Sequence, residues 1–434
     1  GAASGVFAPG HLGELTRIVP FETVDAALEQ CRAHQRRLRS IPSRVVVYLL
    51  LASGLFASVG WMGIWRKLRG GLGPARTPAA SALWEARTRV GPGPLKVLFE
   101  LLAGPTTGMA RWRGLAVCAI DGTLLDIPAS KDNLSVHRSS GATRWAGAGY
   151  PQVRLLALVA AGSRAVIAAA FGPVDTGETK YAARLTGAMG AGQIILADRG
   201  FDAAALIEAI RGTGAHLLVR MGARTKPVRL HRLRDGTWLV RRGTLILRLI
   251  EAEITIATTA GTQTGHYRLL TSAVNPRRYP ADQIVALYHQ RWEIETAYAE
   301  FKSTLLRRRV LRGKHPGAID QEIWALLTLY QAIRIAIADA VIGEPIGPLQ
   351  ASFTIALETA RDQLIRAANL LDDEQIDLKG VIGQQILAHP LPERRLRKAP
   401  RVVKRAISKY HARSNHIDRR TYKATLDIIV YADP

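Results

Sequence analysis

The sequence predicts an α/β protein, in which a mixed sheet forms the core, an all-β segment is inserted, and helical regions flank both ends. Three observations carry this prediction. Short apolar runs alternate with helical stretches over residues 115–220, the rhythm of a sheet covered by helices. Residues 224–274 break that rhythm and are dense in Thr, Val, Ile and Arg, with Asp235-Gly236 between strand-like runs as a hairpin signal. The two ends, typified by "FETVDAALEQCRAHQRRLRS" and "QEIWALLTLYQAIRIAIADAV", carry helical patterns instead.

The elements follow in order. Residues 1–20 read as a flexible leader, and 21–40 as an amphipathic helix ending in a basic cluster. Val45 to Trp65 is a run of 21 residues without a charge, bracketed by Arg44 and Arg66 and long enough to cross a bilayer. Ser53, Gly54, Ser58, Gly60 and Gly63 interrupt it, and "SVGWMG" reads as a break between two shorter helices. A buried helix pair is therefore expected, not a membrane span. Together these make a helical N-terminal unit over 21–110, with "GPARTP" and "GPGPLK" marking its end.

The core's first part, 111–223, opens with "LAVCAI", a strand that stops at Asp121. "QVRLLALVA" and "RAVIAAAFGPV" complete a three-strand meander. A helix over 178–188, the strand "QIILAD" ending at Asp198, the glycine-closed helix "DAAALIEAIRGTG" and the strand "HLLVR" come next. The insertion spans 224–274. The core's second part, 275–312, is a long helix that begins near Ala281. From 313 to 434 the chain reads as helical and then basic, "PERRLRKAPRVVKRAISKYHAR".

Composition narrows the function. A chain of 434 residues holds roughly two to four structural units around at least one large core. Lys plus Arg outnumber Asp plus Glu by 59 to 35, a formal charge of +24 spread along the whole length. That surplus calls for a polyanionic partner, nucleic acid first and an anionic membrane surface second. Cys31 and Cys118 are too few for a four-cysteine zinc site or a disulfide framework, so a reducing compartment is expected. "GAASGVFAPGHLGEL" has no basic region followed by an apolar core, so no signal peptide is expected.

The chemistry concentrates in "YHQRWEIETAYAEFK", residues 288–302. At about 100° per residue, Tyr288, Arg291, Glu295 and Lys302 fall within an arc of about 60°. Leu287, Ile294, Tyr298 and Phe301 supply packing elsewhere on the helix. The ordinary reading is an Arg–Glu pair four residues apart on a solvated face. The sharper one is a metal-binding carboxylate flanked by cations for phosphates. Upstream, Asp121 and Asp198 each end a strand. Asp121-Gly122 could be a hairpin turn, and Asp198 could cap the following helix. If the two strands are neighbours, both acids emerge at the edge where α/β folds bind ligands, and Glu295 arrives from a helix packed over that edge. Three carboxylates with no His/Cys set favour magnesium or manganese, hard cations that prefer oxygen. In a basic protein the matching substrate is a phosphodiester, displaced in line between two metals, with Arg291 and Lys302 on the phosphate oxygens.

This arrangement resembles the DDE transposases, whose catalytic core is RNase H-like. The spacing Tyr288-(2)-Arg291-(3)-Glu295-(6)-Lys302 is similar to the signature of the insertion sequence 4 family, and "DGT" at 121–123, "ADRGF" at 197–201 and "YHQRWEIE" at 288–295 look like its three catalytic blocks. The resemblance covers most of the chain. It implies cut-and-paste DNA transposition with Asp121, Asp198 and Glu295 binding magnesium or manganese, two ions in all. It implies cleavage at terminal inverted repeats, a hairpin intermediate and strand transfer into target DNA. Tyr288, Arg291 and Lys302 would hold phosphates near a displaced base, so that Arg291 is aimed at a phosphate and not at Glu295. Trp292 would offer a stacking face, with Trp238 of the insertion as its competitor. The N-terminal helices would read the double-stranded ends, and a homodimer would pair them through the C-terminal helices, in the bacterial cytoplasm with the nucleoid. The competing readings are a silent DNA-binding repressor or domesticated remnant, and a basic protein anchored to a membrane by Val45–Trp65.

Overall fold

The structure, a computed structural model, describes residues 11–34, 41–69, 77–106, 108–138, 149–222, 225–258, 261–366, 380–392, 397–398 and 422–431. Its central sheet is built from β1 (Arg111–Trp112), β2 (Leu115–Asp126), β3 (Gln152–Ala160), β4 (Val166–Pro173), β5 (Gln193–Ala197) and β6 (His216–Arg220). β2, β3 and β4 form the expected antiparallel meander, and β5 and β6 run parallel to β2 on its other side. The order β4-β3-β2-β5-β6 is RNase H-like. Alternation along β2 divides the interior: Val117 and Ala119 enter one core, Cys118 and Ile120 the other. The second core is covered by α7 (Glu178–Arg184) and α8 (Ala204–Gly212), through Tyr181, Ala182, Leu206 and Ile207.

The first core is larger and is closed by helices from both ends of the chain. These are α1 (Phe21–Gln30), α2 (Ser43–Leu55), α3 (Trp61–Leu68), α4 (Ala80–Val90) and α5 (Gly93–Leu102), then α11 (Pro316–Ala340), α12 (Phe353–Arg366) and α13 (Gly380–Ala388). The charge-free run does split at 56–60 into α2 and α3, and α2 is buried along its whole length apart from Arg44. α11 is long and apolar enough to cross a membrane, but 83% of its most apolar window is buried inside the protein. It is a core helix, started by Pro316 behind a His315 cap whose Nδ1 accepts from Ala318 N. Gly54 lets α2 press against it, since a Cβ there would lie 2.7 Å from Leu329 Cδ2.

The insertion comprises β7 (Val228–Arg232), β8 (Trp238–Arg242), β9 (Leu245–Thr258) and β10 (Gly261–Thr271), with Asp235-Gly236 in the loop joining β7 to β8. It is not a separate layer. β10 pairs antiparallel with β6, Leu270 opposite Val219, and extends the same sheet outward through β9.

Several expectations are corrected. β2 does not stop at Asp121 but continues through Gly122 and Thr123 to Asp126, because β3 pairs with it over that whole length. The leader is not free from residue 11 onward, since Leu12, Leu15 and Val19 are fully buried. The long helix is four pieces: α9 (Ala281–Tyr288), a 3-10 turn at His289–Arg291, α10 (Trp292–Ala299) and a π-turn at Glu300–Leu305. The C-terminal region is not only helical. β12 (Tyr422–Val430) pairs with the outer edge of β9, Ile428 opposite Ile254, and β11 (Arg397–Lys398) pairs with β12. A short α6 (Lys131–Val136) follows β2. The basic cluster at 35–40 and most of the basic segment at 392–413 lie outside the described residues.

Candidate active site

The register of two strands builds the first half of the site. β2 and β5 are parallel neighbours whose last pair is Ile120 with Ala197. The next residue on each is an aspartate, Asp121 and Asp198, so both acids stand side by side where β5 ends and β2 runs on. Asp121 Oδ1 accepts from Gly122 N at 2.8 Å. Asp198 Oδ1 accepts from Gly200 N at 2.5 Å, capping the 3-10 turn Arg199–Phe201. Asp198 thus caps this short turn and not the following helix α8, which begins after Ala203 without a side-chain cap. The hairpin reading of Asp121 does not hold, because Asp121 lies within a strand.

α10 and the turns on either side of it lay the stripe across β2. Arg291 Nη2 donates to Glu295 Oε1 at 2.8 Å, and its Nη1 approaches Asp121 Oδ2 at 3.4 Å. In this structure Arg291 thus bridges two carboxylates, where the family resemblance aims it at a phosphate. Lys302 Nζ, on the π-turn, donates to Thr123 Oγ1 at 3.1 Å, and burial lowers its pKa. The Tyr298 hydroxyl donates to the Asp121 carbonyl at 2.7 Å. The sequence suggests only packing for Tyr298, yet it lies on the same stripe at helical spacing from Arg291 and Lys302, which is the signal that finds it.

The aromatic residues divide. Tyr288 is buried, edge-on to Tyr267 at 6.5 Å. Burial pushes its hydroxyl up to about 12, with Asp198 adding and Arg291 and Arg220 opposing. Trp292 is 54% exposed beside Arg291. Trp238 is away on the insertion, where the Arg229 guanidinium stacks over its ring at 4.9 Å.

Burial pushes the Asp121 carboxyl up to about 6; Gly122 N–H and Arg291 pull it down, while Asp198 and Glu295 push it further up. Asp121 therefore feels the negative charge of both other carboxylates, and carboxylate oxygens so placed suit a hard divalent cation. Among the described residues no three acidic, His or Cys side chains converge into a finished metal cage. The Arg291 guanidinium is what stands between Asp121 and Glu295. The donor set of three carboxylates fits a divalent ion in its chemistry.

Comparison with known proteins gives the chain its family. Residues 9–100 match the family model described as Insertion element 4 transposase N-terminal, and residues 112–331 match the one described as Transposase DDE domain. The chain is 29% identical over 412 residues to Transposase InsG for insertion sequence element IS4 of Escherichia coli (strain K12), an alignment covering 90% of this chain and 91% of that protein. Among solved structures, piggyBac transposase in a synaptic complex with hairpin DNA aligns at a TM-score of 0.44 and 11% identity, over 89% of this chain and 86% of that one. Family members of this kind use divalent metal ions and act on the DNA of transposon ends. With the catalytic model matched over half its length and the N-terminal model before it, the chain belongs to the insertion element 4 family of DDE transposases, polynucleotidyl transferases of DNA transposition.

Proposed function

We propose that Asp121, Asp198 and Glu295 would hold the catalytic ions of this transposase, two ions of magnesium or manganese, at the site where the enzyme cleaves the phosphodiester of the transposon's terminal inverted repeats. The observation that carries this reading is the strand register, which puts the two aspartates directly after the Ile120–Ala197 pair, with Glu295 linked to Asp121 through Arg291. Divalent ions in such a set supply Lewis acidity to the attacking and leaving oxygens of an in-line displacement. The chain's own residues do the rest. Arg291 exchanges its carboxylate partners for non-bridging phosphate oxygens as the strand enters, and its planar fork suits either. Lys302, already directed at β2 beside Asp121, holds the next phosphate. Tyr288 braces this edge from within, and the half-exposed indole of Trp292 offers a face to a base displaced as the end is bent into a hairpin. Water attack first frees the 3′-hydroxyl of the transposon end, and this hydroxyl displaces the opposite strand to close the hairpin. Hydrolysis reopens the hairpin, and the regenerated 3′-hydroxyl then attacks a target phosphodiester, whose own 3′-oxygen leaves. Two ends are paired by a homodimer, with the N-terminal helices reading their sequence.

Incubation with the element's own ends and magnesium, resolved on a denaturing gel, tests this directly. Nicked, hairpin and joined products are expected from the wild type. Asp121→Asn, Asp198→Asn and Glu295→Gln are each expected to abolish all three while end binding in a gel shift persists. Cleavage that survives in the triple variant overturns the assignment.

A further inference from the structure

Behind the active-site helix lies a buried charge cluster that the reaction does not use. At about 100° per residue, Arg291, Glu295, Tyr298 and Lys302 share one face of α10 and its flanking turns, and Glu293 and Glu300 fall on the opposite one. Arg164, in the turn between β3 and β4, reaches both of these acids. Its Nε donates to Glu293 Oε2 at 2.8 Å and its Nη1 to Glu300 Oε1 at 2.7 Å. From α11, Arg334 pairs with Glu300 and the Tyr330 hydroxyl donates to it at 2.9 Å. The side chains of Arg164 and Arg334 are 6% and 0% exposed. Burial works against the Glu300 carboxylate, and Arg334 and Arg164 outweigh it, holding the pKa below its ordinary value.

A buried ion cluster loses in desolvation much of what it gains in attraction, and apolar groups of the same volume often stabilise a fold as well. What charge adds is direction. One planar fork gripping two carboxylates on the same helix face fixes the rotation of that helix about its axis, which the non-directional contacts of Ile294 and Phe301 leave softer. Glu295 lies between the two gripped residues in sequence, on the far side of the helix. Glu300 also opens the π-turn that carries Lys302 to Thr123, a distortion of the kind that recurs at functional sites.

We propose that Arg164 is a positioning residue for strand cleavage: by gripping Glu293 and Glu300 from behind, it sets the angle at which Glu295 faces Asp121 and Asp198, with Arg334 and Tyr330 bracing Glu300. This rests on the reading of Glu295 as a metal ligand. The test compares the full chain on its transposon-end DNA as wild type, Arg164→Met, Arg164→Lys, Glu295→Gln and Leu364→Ala, the last a fully buried α12 residue outside the site. Three quantities are measured: the Mn2+ affinity of the complex by electron paramagnetic resonance, the single-turnover cleavage rate alongside end-binding affinity, and the unfolding midpoint. Arg164→Met is expected to weaken Mn2+ binding and slow cleavage by roughly 10- to 100-fold, the range for groups that orient metal ligands, with end binding unchanged. Arg164→Lys, which keeps the charge and loses the fork, is expected to recover the unfolding midpoint more fully than the cleavage rate. Leu364→Ala is expected to lower the midpoint alone.

The proposal is overturned if Arg164→Met behaves like Leu364→Ala, losing midpoint while keeping Mn2+ affinity and cleavage. If Arg164→Met does not fold, wild-type Mn2+ affinity and cleavage in Arg164→Lys overturn it instead. Glu295→Gln separates the two readings. If it keeps both Mn2+ affinity and cleavage, the ligand assignment fails and takes this inference with it. If it loses both while the Arg164 variants keep them, the positioning inference alone is wrong.

Discussion

Tyr298 shows how a single hydroxyl joins two parts of the site. It links the active-site helix to the backbone of Asp121 itself, so removing it affects a strand residue far away in sequence. Tyr298→Phe is expected to lower stability by about 0.5–1.5 kcal/mol, the usual worth of one such bond, measured by urea unfolding at constant slope. Cleavage is expected to fall with it, because the Asp121 backbone loses its tie to the helix. The stripe was legible because the charges recur at helical spacing, and Asp121 and Asp198 because apolar runs lead into them. What Tyr298 and Arg291 touch was not legible, since Asp121 lies 170 or more residues away from both. Periodicity reports which residues share a face and is silent about what that face meets. The Arg291–Glu295 pair of the plain reading is present, but not on a solvated face: the Arg291 side chain is largely buried against β2, and Asp121 joins the pair as a third member.

At the scale of elements, the turn between β3 and β4 is tightly constrained. Gly162 has φ +90°, and a Cβ there would lie 2.6 Å from the Ala110 backbone nitrogen, which cannot yield as a side chain would. Gly162→Ala is expected to destabilise the protein by about 1–3 kcal/mol, read from its denaturant midpoint, and to slow cleavage because Arg164 shares the turn. The same cluster has a signature in acid. Glu300 has its folded pKa depressed, so the native state binds fewer protons there than the unfolded chain does. Its contribution is fully present above the unfolded value of about 4.3 and is lost as pH falls through the folded value. Wild-type protein is therefore expected to lose stability on acidification more steeply than Glu300→Gln, followed by unfolding at a series of pH values. Short strands with apolar runs were readable in order. The extension of β2 was hidden because Gly122-Thr123 resembles a turn, and only pairing with β3 overrides that. β12 was hidden because it follows a long basic stretch and finds its partner in β9, some 170 residues earlier in register.

At the scale of the molecule, one apolar core runs from Leu12 to Ile386 and contains residues of α1–α5, the central sheet and α9–α13. α11 is its axis, touching α2, α5 and α13. A fragment lacking residues 11–102 is expected to be insoluble, because α11 would be left with an uncovered apolar flank; a soluble, cooperatively folded fragment would show the catalytic part to be independent. Gly54 states the same dependence at one contact, where only the absence of a side chain lets α2 lie against Leu329. For a mobile element this shared interior has a hereditary consequence. The helices proposed to read its ends cannot be traded between elements as a cassette, since a swap would strip α2 and α5 from the core they share with α11. A lineage that comes to recognise new ends has to do so by substitution on the outer surfaces of those helices, leaving the buried side as inherited.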